Sequence, residues 1–548
     1  MALGQQLDQS RRAAREVLAN RQLRNLQLAG LGSTLGTWAY GVALPVYAFH
    51  AGGAKTVGII YFARFATAAV CAPWLSLLAD RWSRRQVMLW ADVTRIGLVG
   101  GMAALAFLHA PSLPVFVLAV CSTAVSSSFV PAQAALLPSL VNSPEELTSA
   151  NVVMNTIGSV SMFAGPALGG VLLALSGPAA VFTANAAAFV WSAALVFRVR
   201  RDRRPEGAEH ARVLPALAGG FRAVWQEPNL RLIVGLTGAQ TLVAGAFQVL
   251  MIVYALRLIE AGNAGVGWLT AALGGGTLAG AVAVAALAGR KRLAGDFGIG
   301  VLLWGAPIAL LAAWANLPYA IVLIGVIGLG NTILDVSGMT LLQRSTDDAV
   351  LGRVFGVLES LILATLAIGS IAAPGIVSAL GVRGALVAVG VFPVVLLVPL
   401  WQRLQKIDRA SAVAAAPLAL LRRIPIFAPL PVPSLERLAS LAAAVTVPAG
   451  EPVFSQGEHG DRFYAIESGH AAVEVEGAPA RTLGAGDSFG EIALLRDVPR
   501  TATVRAVEDL RLYAVERDDF IGVVTGHAPS LEAAESVVAT RLPAGAAI

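Results

Sequence analysis

The chain has 548 residues, of which 56% are hydrophobic and only 14% charged, with a mean hydropathy of +0.70; a water-soluble protein could not cover that much apolar surface with polar groups. Its formal charge of +6 is not gathered into a basic tract interleaved with aromatics, so nucleic acid is excluded as the expected partner. Cys71 and Cys121 lie in apolar runs without metal-site or redox spacing and read as small buried hydrophobes.

Residues 1–24 carry Arg11, Arg12, Arg15, Arg21 and Arg24 ahead of the first apolar run, which has the length of a full span rather than of a short signal core, so they are expected to stay as a cytoplasmic arm. Runs of about 20 apolar residues, enough to cross a bilayer, then follow at 25–48, 57–78, 86–109, 113–140, 148–175 and 179–198. After a polar loop, 199–228, they resume at 230–257, 265–289, 296–315, 318–342, 353–380 and 384–401. The expected membrane domain is therefore 25–401, an all-α bundle of about 12 spans arranged six plus six. Basic residues collect in alternate loops, at Arg81, Arg84 and Arg85, at Arg198 to Arg204, and at Arg290, Lys291 and Arg292, while the other side holds little beyond Lys55, Arg257 and Arg383. Retention of positive charge puts those loops and both termini in the cytoplasm, and the lipid bilayer of the plasma (cytoplasmic) membrane is the expected setting.

Leu78-Ala79-Asp80-Arg81-Trp82-Ser83-Arg84-Arg85 stands between the second and third runs. It is similar to the signature loop of the major facilitator superfamily, with Ser76 and Ser83 where that motif usually has glycine. The resemblance implies a rocking transporter in which Asp80, Arg81, Arg84 and Arg85 form a cytoplasmic latch. Gly165-Pro166-Ala167-Leu168-Gly169-Gly170, in the fifth run, combines small residues that admit a neighbouring helix with a proline that permits a bend. Gly165, Pro166, Gly169 and Gly170 resemble the glycine–proline motif of exporters in that superfamily, Leu140 to Asn185 as a whole resembles its drug and siderophore efflux group, Leu342 to Val354 resembles the equivalent loop before the eleventh span, and the likeness covers residues 20–400.

Charges within a span are costly unless paired or wetted, and Arg64, Asp92, Arg95, Asp335 and Glu359 each need a reason. Asp92 and Arg95, three apart, read as a local ion pair. Asp335, with Asn331 one turn away, and Glu359 either carry a proton in exchange for substrate or pair with Arg353 or Arg64 to hold the bundle. The arginine usual in span four of the family is absent, so its proton relay does not carry over. Gln133, Asn155, Asn185, Gln240 and Gln248 either face a cavity or bond between helices. The transported small molecule is expected to be apolar or amphipathic.

Residues 402–433, with Arg403, Lys406, Arg409, Arg422 and Arg423, read as a linker suited either to an anionic membrane face or to simple cytoplasmic anchoring. From 434 to 548 the composition turns polar. Glycines alternate with short β-prone runs, and Val473 to Glu476 and Thr501 to Val507 alternate as half-buried strands do. Between them, Phe489 to Thr503 reads as a cradle for a cyclic phosphodiester. Gly490 lets backbone come close, the amides of Glu491, Ile492, Ala493 and Leu494 can face an anion, Glu491 can accept from a ribose hydroxyl, and the Arg500 fork fits phosphate oxygens beside the hydroxyl of Thr501.

This tail closely resembles the cyclic nucleotide-binding domain of kinase regulatory subunits, gated channels and bacterial catabolite activators. The resemblance implies a β-roll with flanking helices, a binding cassette of Phe489 through Leu494 with Arg500, Thr501 and Ala502, and cyclic AMP or cyclic GMP as ligand, with Thr501 placed to favour guanine. No helix-turn-helix follows before Ile548, so a DNA-binding regulator is not expected. There is no nucleophile elbow, no triphosphate loop and no metal-spaced cluster among the six histidines; no catalytic residue, metal or cofactor is expected beyond the regulatory nucleotide. Two functions follow: an efflux-type secondary transporter, with proton antiport as its coupling hypothesis, regulated by cyclic nucleotide, or a membrane-anchored receptor that no longer transports.

Overall fold

A computed structural model describes residues 17, 19–200, 213–287, 293–344, 346, 348–413 and 415–541; within these, the side chains of 72–81, 144–145, 213–217, 285–287, 344, 348–350, 407–413, 415 and 432–433 are not described. The chain divides into two units, Met1–Gln402 and Arg403–Ile548.

The first unit is helical: α1 (Arg21–Arg81), α2 (Arg84–Phe107), α3 (Ser112–Leu140), α4 (Pro144–Phe197), α5 (Val213–Gln226), α6 (Pro228–Val253, prolonged by a π-helical turn Tyr254–Leu258), α7 (Gly262–Leu287), α8 (Leu293–Leu310), α9 (Leu317–Arg344) and α10 (Asp348–Val413). Among the described residues nine helices are long and apolar enough to cross a membrane. Three of them are too long for one crossing. α1, at 61 residues, would measure about 90 Å if straight, against a hydrocarbon core of about 30 Å. Its backbone leaves the helical region at Gly52 and Gly53 (φ 66°), as α4 does at Gly177 (φ 77°) and α10 at Gly381 (φ 69°). Those positive φ values favour glycine, and the breaks fall where the sequence places connections between apolar runs.

The unit buries Tyr254, Phe182 and Phe189 while leaving Trp90, Val130, Leu175, Val322 and Val398 exposed. Large apolar side chains on the outside as well as the inside fit a helix bundle whose outer solvent is lipid. The same logic corrects the reading of the cysteines: Cys121 is exposed and Cys71 half-buried, since an apolar side chain on a lipid-facing helix need not turn inward.

Asp92 and Arg95 on α2 are both buried and form the ion pair expected from their spacing. Their partners reach well beyond one helix. Ser192 on α4 donates to Asp92 at 2.7 Å, Arg95 Nη1 donates to Ser33 on α1 at 3.4 Å, and the guanidinium lies 4.5 Å from the ring centre of Phe129 on α3 and 4.2 Å from that of Phe189 on α4.

The second unit opens with the end of α10, from Arg403, and continues with α11 (Ala415–Leu421) and α12 (Val432–Leu441), followed by strands β1 (Ala443–Val447), β2 (Pro452–Phe454), β3 (Arg462–Ser468), β4 (Ala471–Val475), β5 (Ala478–Leu483) and β6 (Ser488–Phe489). Helix α13 (Glu491–Arg496), strands β7 (Thr503–Ala506) and β8 (Leu510–Glu516), and helices α14 (Arg517–Thr525) and α15 (Ala528–Arg541) complete it. Two antiparallel sheets, ordered β1-β8-β3-β6 and β2-β7-β4-β5, make the roll. β3 is buried on both faces: Tyr464 and Ile466 enter the inter-sheet core, while Phe463 and Ala465 meet the helices, where Phe463 stacks on Phe520 with ring centres 4.8 Å apart.

The segment read as a linker, 402–433, belongs in large part to this unit. Leu421, Ile424, Ile426, Phe427 and Leu430 are buried in the helix-side core, while Arg422 and Arg423 between them are exposed. The charges are interleaved with an apolar set that the turn-rich segment carries inward.

Candidate functional site

The cradle is built at a change of chain direction. β6 ends at Phe489, Gly490 takes a left-handed conformation (φ 94°) that L side chains rarely adopt, and the six-residue helix α13 begins at Glu491. Asp497, also left-handed (φ 54°), ends that helix, and the returning loop carries Arg500 back beneath Gly490 before β7 starts. Arg500 is 3% exposed. Its Nη1 donates to Gly490 O at 3.1 Å, and its Nη2 to Arg462 O at 2.8 Å and to Asp461 Oδ1 at 3.3 Å. The guanidinium lies 4.1 Å from the ring centre of Phe454 on β2, a cation–π contact. Burial lowers the pKa of this guanidinium, and neighbouring Tyr464 and Asp461 pull it back up.

A cavity of about 60 Å³ lies over these groups. Phe489, Gly490, Glu491, Ile492, Ala493, Arg500, Thr501 and Ala502 all line it; Leu494 does not, and packs into the helix-side core with Phe463 and Phe520. Two charged atoms in this wall, Arg500 Nε and Glu491 Oε2, are buried with no hydrogen-bond partner among the described residues. Burying a charged donor and acceptor without partners is costly, and a ligand bringing an anionic acceptor and a hydroxyl donor would satisfy both.

Sequence reasoning missed Phe454, Asp461, Arg481 and Arg541. Arg481 on β5 lines the cavity, and its pKa is lowered by burial and then by Arg541, with Glu491 and Asp487 opposing. Arg541, at the end of α15, donates to Glu491 Oε1 at 2.7 Å. These residues stand far apart in the chain, and no local pattern marks them.

In the helical unit, Arg84 donates to Ala135 O at 2.8 Å and Arg85 to Phe197 O at 2.7 Å, so both tie α2 to helices of the same half. The side chains of Asp80 and Arg81 lie outside the described residues. The glycines of α4 are packing surfaces. A Cβ added at Gly169 would lie 2.6 Å from Ala39 O on α1, and one at Gly170 would lie 2.7 Å from Gly267 Cα on α7; Gly165 meets Trp38 and Leu35 of α1, and the carbonyl of Pro166 faces Gly267. The α4–α7 seam joins the first half of the bundle to the second. Gly170→Val should therefore force the halves apart at a cost of about 1–3 kcal/mol, read as a lower thermal unfolding midpoint of the detergent-purified protein; an unchanged midpoint would show that the seam is loose.

Asp335 is exposed on α9 and accepts from Asn331 Nδ2 at 2.7 Å, and Asn331 accepts from Gln240 on α6 at 3.5 Å. Glu359 is exposed on α10 with no ion-pair partner among the described residues. Neither pairs with Arg353 or Arg64: Arg64 donates to Thr123 at 2.9 Å and lies over Tyr40. Asn185 and Gln133 are buried, Gln248 is half-buried and Asn155 is exposed.

Residues 26–295 match the Major Facilitator Superfamily and residues 444–527 match the cyclic nucleotide-binding domain. The cAMP-dependent protein kinase regulatory subunit of Emericella nidulans is 38% identical over 104 residues, 19% of this chain and 25% of that one. The corresponding subunit of Yarrowia lipolytica is 39% identical over 112 residues, 20% of this chain and 30% of that one. The chain thus spans only 25% and 30% of the length of these curated relatives. Among solved structures, the nucleoside transporter NupG superposes with a TM-score of 0.60 at 12% identity, covering 70% of this chain and 99% of that one, a likeness of fold. The chain is therefore a multi-pass membrane protein that joins a helical unit of major facilitator fold to a C-terminal cyclic nucleotide-binding domain.

Proposed function

We propose that this protein is a secondary transporter of a small molecule whose activity is set by a cyclic purine nucleotide bound to its C-terminal domain. One observation carries the nucleotide assignment: the buried, unpartnered Arg500 Nε and Glu491 Oε2 share one cavity. An equatorial phosphate oxygen would accept from the first and a ribose hydroxyl would donate to the second. Thr501 and Arg481 offer donors to a base, and a guanine carbonyl edge would use both. Small-molecule pockets usually begin at about 300 Å³; at about 60 Å³ this one is drawn in and must open to admit a nucleotide. Opening supplies the conformational change that a ligand needs, because it can shift a transport equilibrium only through unequal affinity for the two states.

For the helical unit we infer an exporter in the plasma membrane with both termini cytoplasmic. The three glycine breaks would divide the long helices to give twelve crossings, Asp80, Arg81, Arg84 and Arg85 would gate the cytoplasmic side, and the seam at Gly165, Pro166, Gly169 and Gly170 would be its pivot. Asp335 and Glu359, exposed and without cationic partners, are the carboxylates free to exchange a proton against substrate. Flux of a substrate panel in proteoliposomes, with and without each cyclic nucleotide, tests the whole. Flux should change with nucleotide in the native protein and not in Arg500→Ala, and should stop when an imposed proton gradient is collapsed. Absence of flux under every condition would leave a receptor; flux that survives collapse would remove the proton from the account.

A further inference from the structure

Glu491 is divided between two tasks. Its Oε1 accepts from Arg541 Nη1 at 2.7 Å, and the same nitrogen donates to Ser488 O at 2.8 Å, so the end of α15 is pinned to both the cassette helix and the strand before it. Its Oε2 is buried and has no partner among the described residues. The carboxylate is 2% exposed and the Arg541 side chain 16%. A carboxylate that deep would be an uncompensated charge without a fixed cation, and Arg481, which lines the same cavity from β5, is the other cation to which it could turn.

We infer that Arg541 is a positioning residue for nucleotide recognition: it holds Glu491 by Oε1 so that Oε2 alone is offered to the ribose 2′-hydroxyl, making ribose recognition contingent on the docking of α15. The inference rests on the proposed nucleotide function. The docking of the helix does not itself depend on Arg541, because Ala534 and Val538 of α15 are buried, Ala534 in the apolar cluster that contains Phe463, Phe520 and Val524. Losing the guanidinium should therefore free the carboxylate while leaving the helix in place. The phosphate end, held by Arg500, lies outside the clamp.

The experiment compares cyclic GMP with 2′-deoxy cyclic GMP, and cyclic AMP with its 2′-deoxy form, by calorimetric titration of the full chain in detergent. In the native protein loss of the hydroxyl should weaken binding about tenfold or more. In Arg541→Gln and in Glu491→Gln that ratio should fall towards one, with affinity for the deoxy ligands little changed, and Arg541→Lys should restore part of it. A native ratio in Arg541→Gln overturns the inference. So does an equal loss of both ligands, which would mark Arg541 as a purely structural anchor. A native protein that binds neither nucleotide fails earlier, at the proposed function, and takes the inference with it.

Discussion

Arg500→Ala should lower cyclic nucleotide affinity by between about 30-fold and several thousandfold, the equivalent of about 2–5 kcal/mol for truncating one partner of a buried charge pair. The loss is large because the guanidinium does two jobs at once. Its Nη atoms are already spent on Gly490 O, Arg462 O and Asp461, which fix the plane of the fork, and Nε is buried with no hydrogen-bond partner among the described residues. The phosphate would thus meet a donor that is preorganised, desolvated and stacked on Phe454. Arg500→Lys should recover little of the loss. A single ammonium cannot reach two carbonyls, lie flat on a ring and still present an aimed N–H. Both variants should also unfold at lower temperature than the native chain, since neither alanine nor lysine can keep the fork's bonds to the carbonyls of Gly490 and Arg462, both half-buried residues. Titration with either nucleotide decides the matter: native affinity in Arg500→Ala would mean that the anion sits elsewhere.

How much of this site was legible depends on how its residues are distributed along the chain. Phe489 to Ala493 and Arg500 to Ala502 fall within one short stretch of chain that runs from β6 through α13 to the segment before β7, so a cradle can be read from their types and order alone. Leu494 could not be assigned that way, because the direction in which a six-residue helix turns its fourth side chain depends on what packs against it, here Phe463 and Phe520. Phe454, Asp461, Arg481 and Arg541 arrive from β2, the loop just before β3, β5 and α15; an arginine on an exposed strand or at the end of a helix carries no local mark of its destination. In the helical unit the apolar runs were readable because bilayer thickness sets their length, and the glycine breaks at Gly53, Gly177 and Gly381 lie between them. The partners of charged groups were readable only at helical spacing: Asp92 with Arg95, and Asp335 with Asn331. Pairing of Asp335 or Glu359 with Arg353 or Arg64 would depend on how separate helices face one another, which local spacing does not record; Asp335 instead meets Asn331, and Arg64 meets Thr123.

Removing either member of the Asp92–Arg95 pair should destabilise the helical unit by about 3–5 kcal/mol, whereas removing both should cost less than removing one. Each charge is nearly or wholly inaccessible, at 0% and 2% exposure, and each is the main compensation of the other. Arg95→Met leaves a bare carboxylate with only Ser192, among the described residues, to answer it, and also takes the cation away from the rings of Phe129 and Phe189. Asp92→Leu leaves the guanidinium with Ser33 and a carbonyl of its own helix. The double replacement, Asp92→Leu with Arg95→Met, exchanges the pair for apolar volume among α1, α2, α3 and α4, an exchange that in other buried pairs has been neutral or stabilising by about 1–4 kcal/mol. Thermal unfolding of the four proteins in one detergent closes the cycle. A double variant as destabilised as the two singles added together would show that the charges act separately, with Ser33 and Ser192 rather than the pair itself holding these helices in register. A double variant that is stable yet fails to transport would place the pair among the elements that must rearrange as the bundle rocks, since an apolar plug keeps the helices packed but cannot break and remake a hydrogen bond.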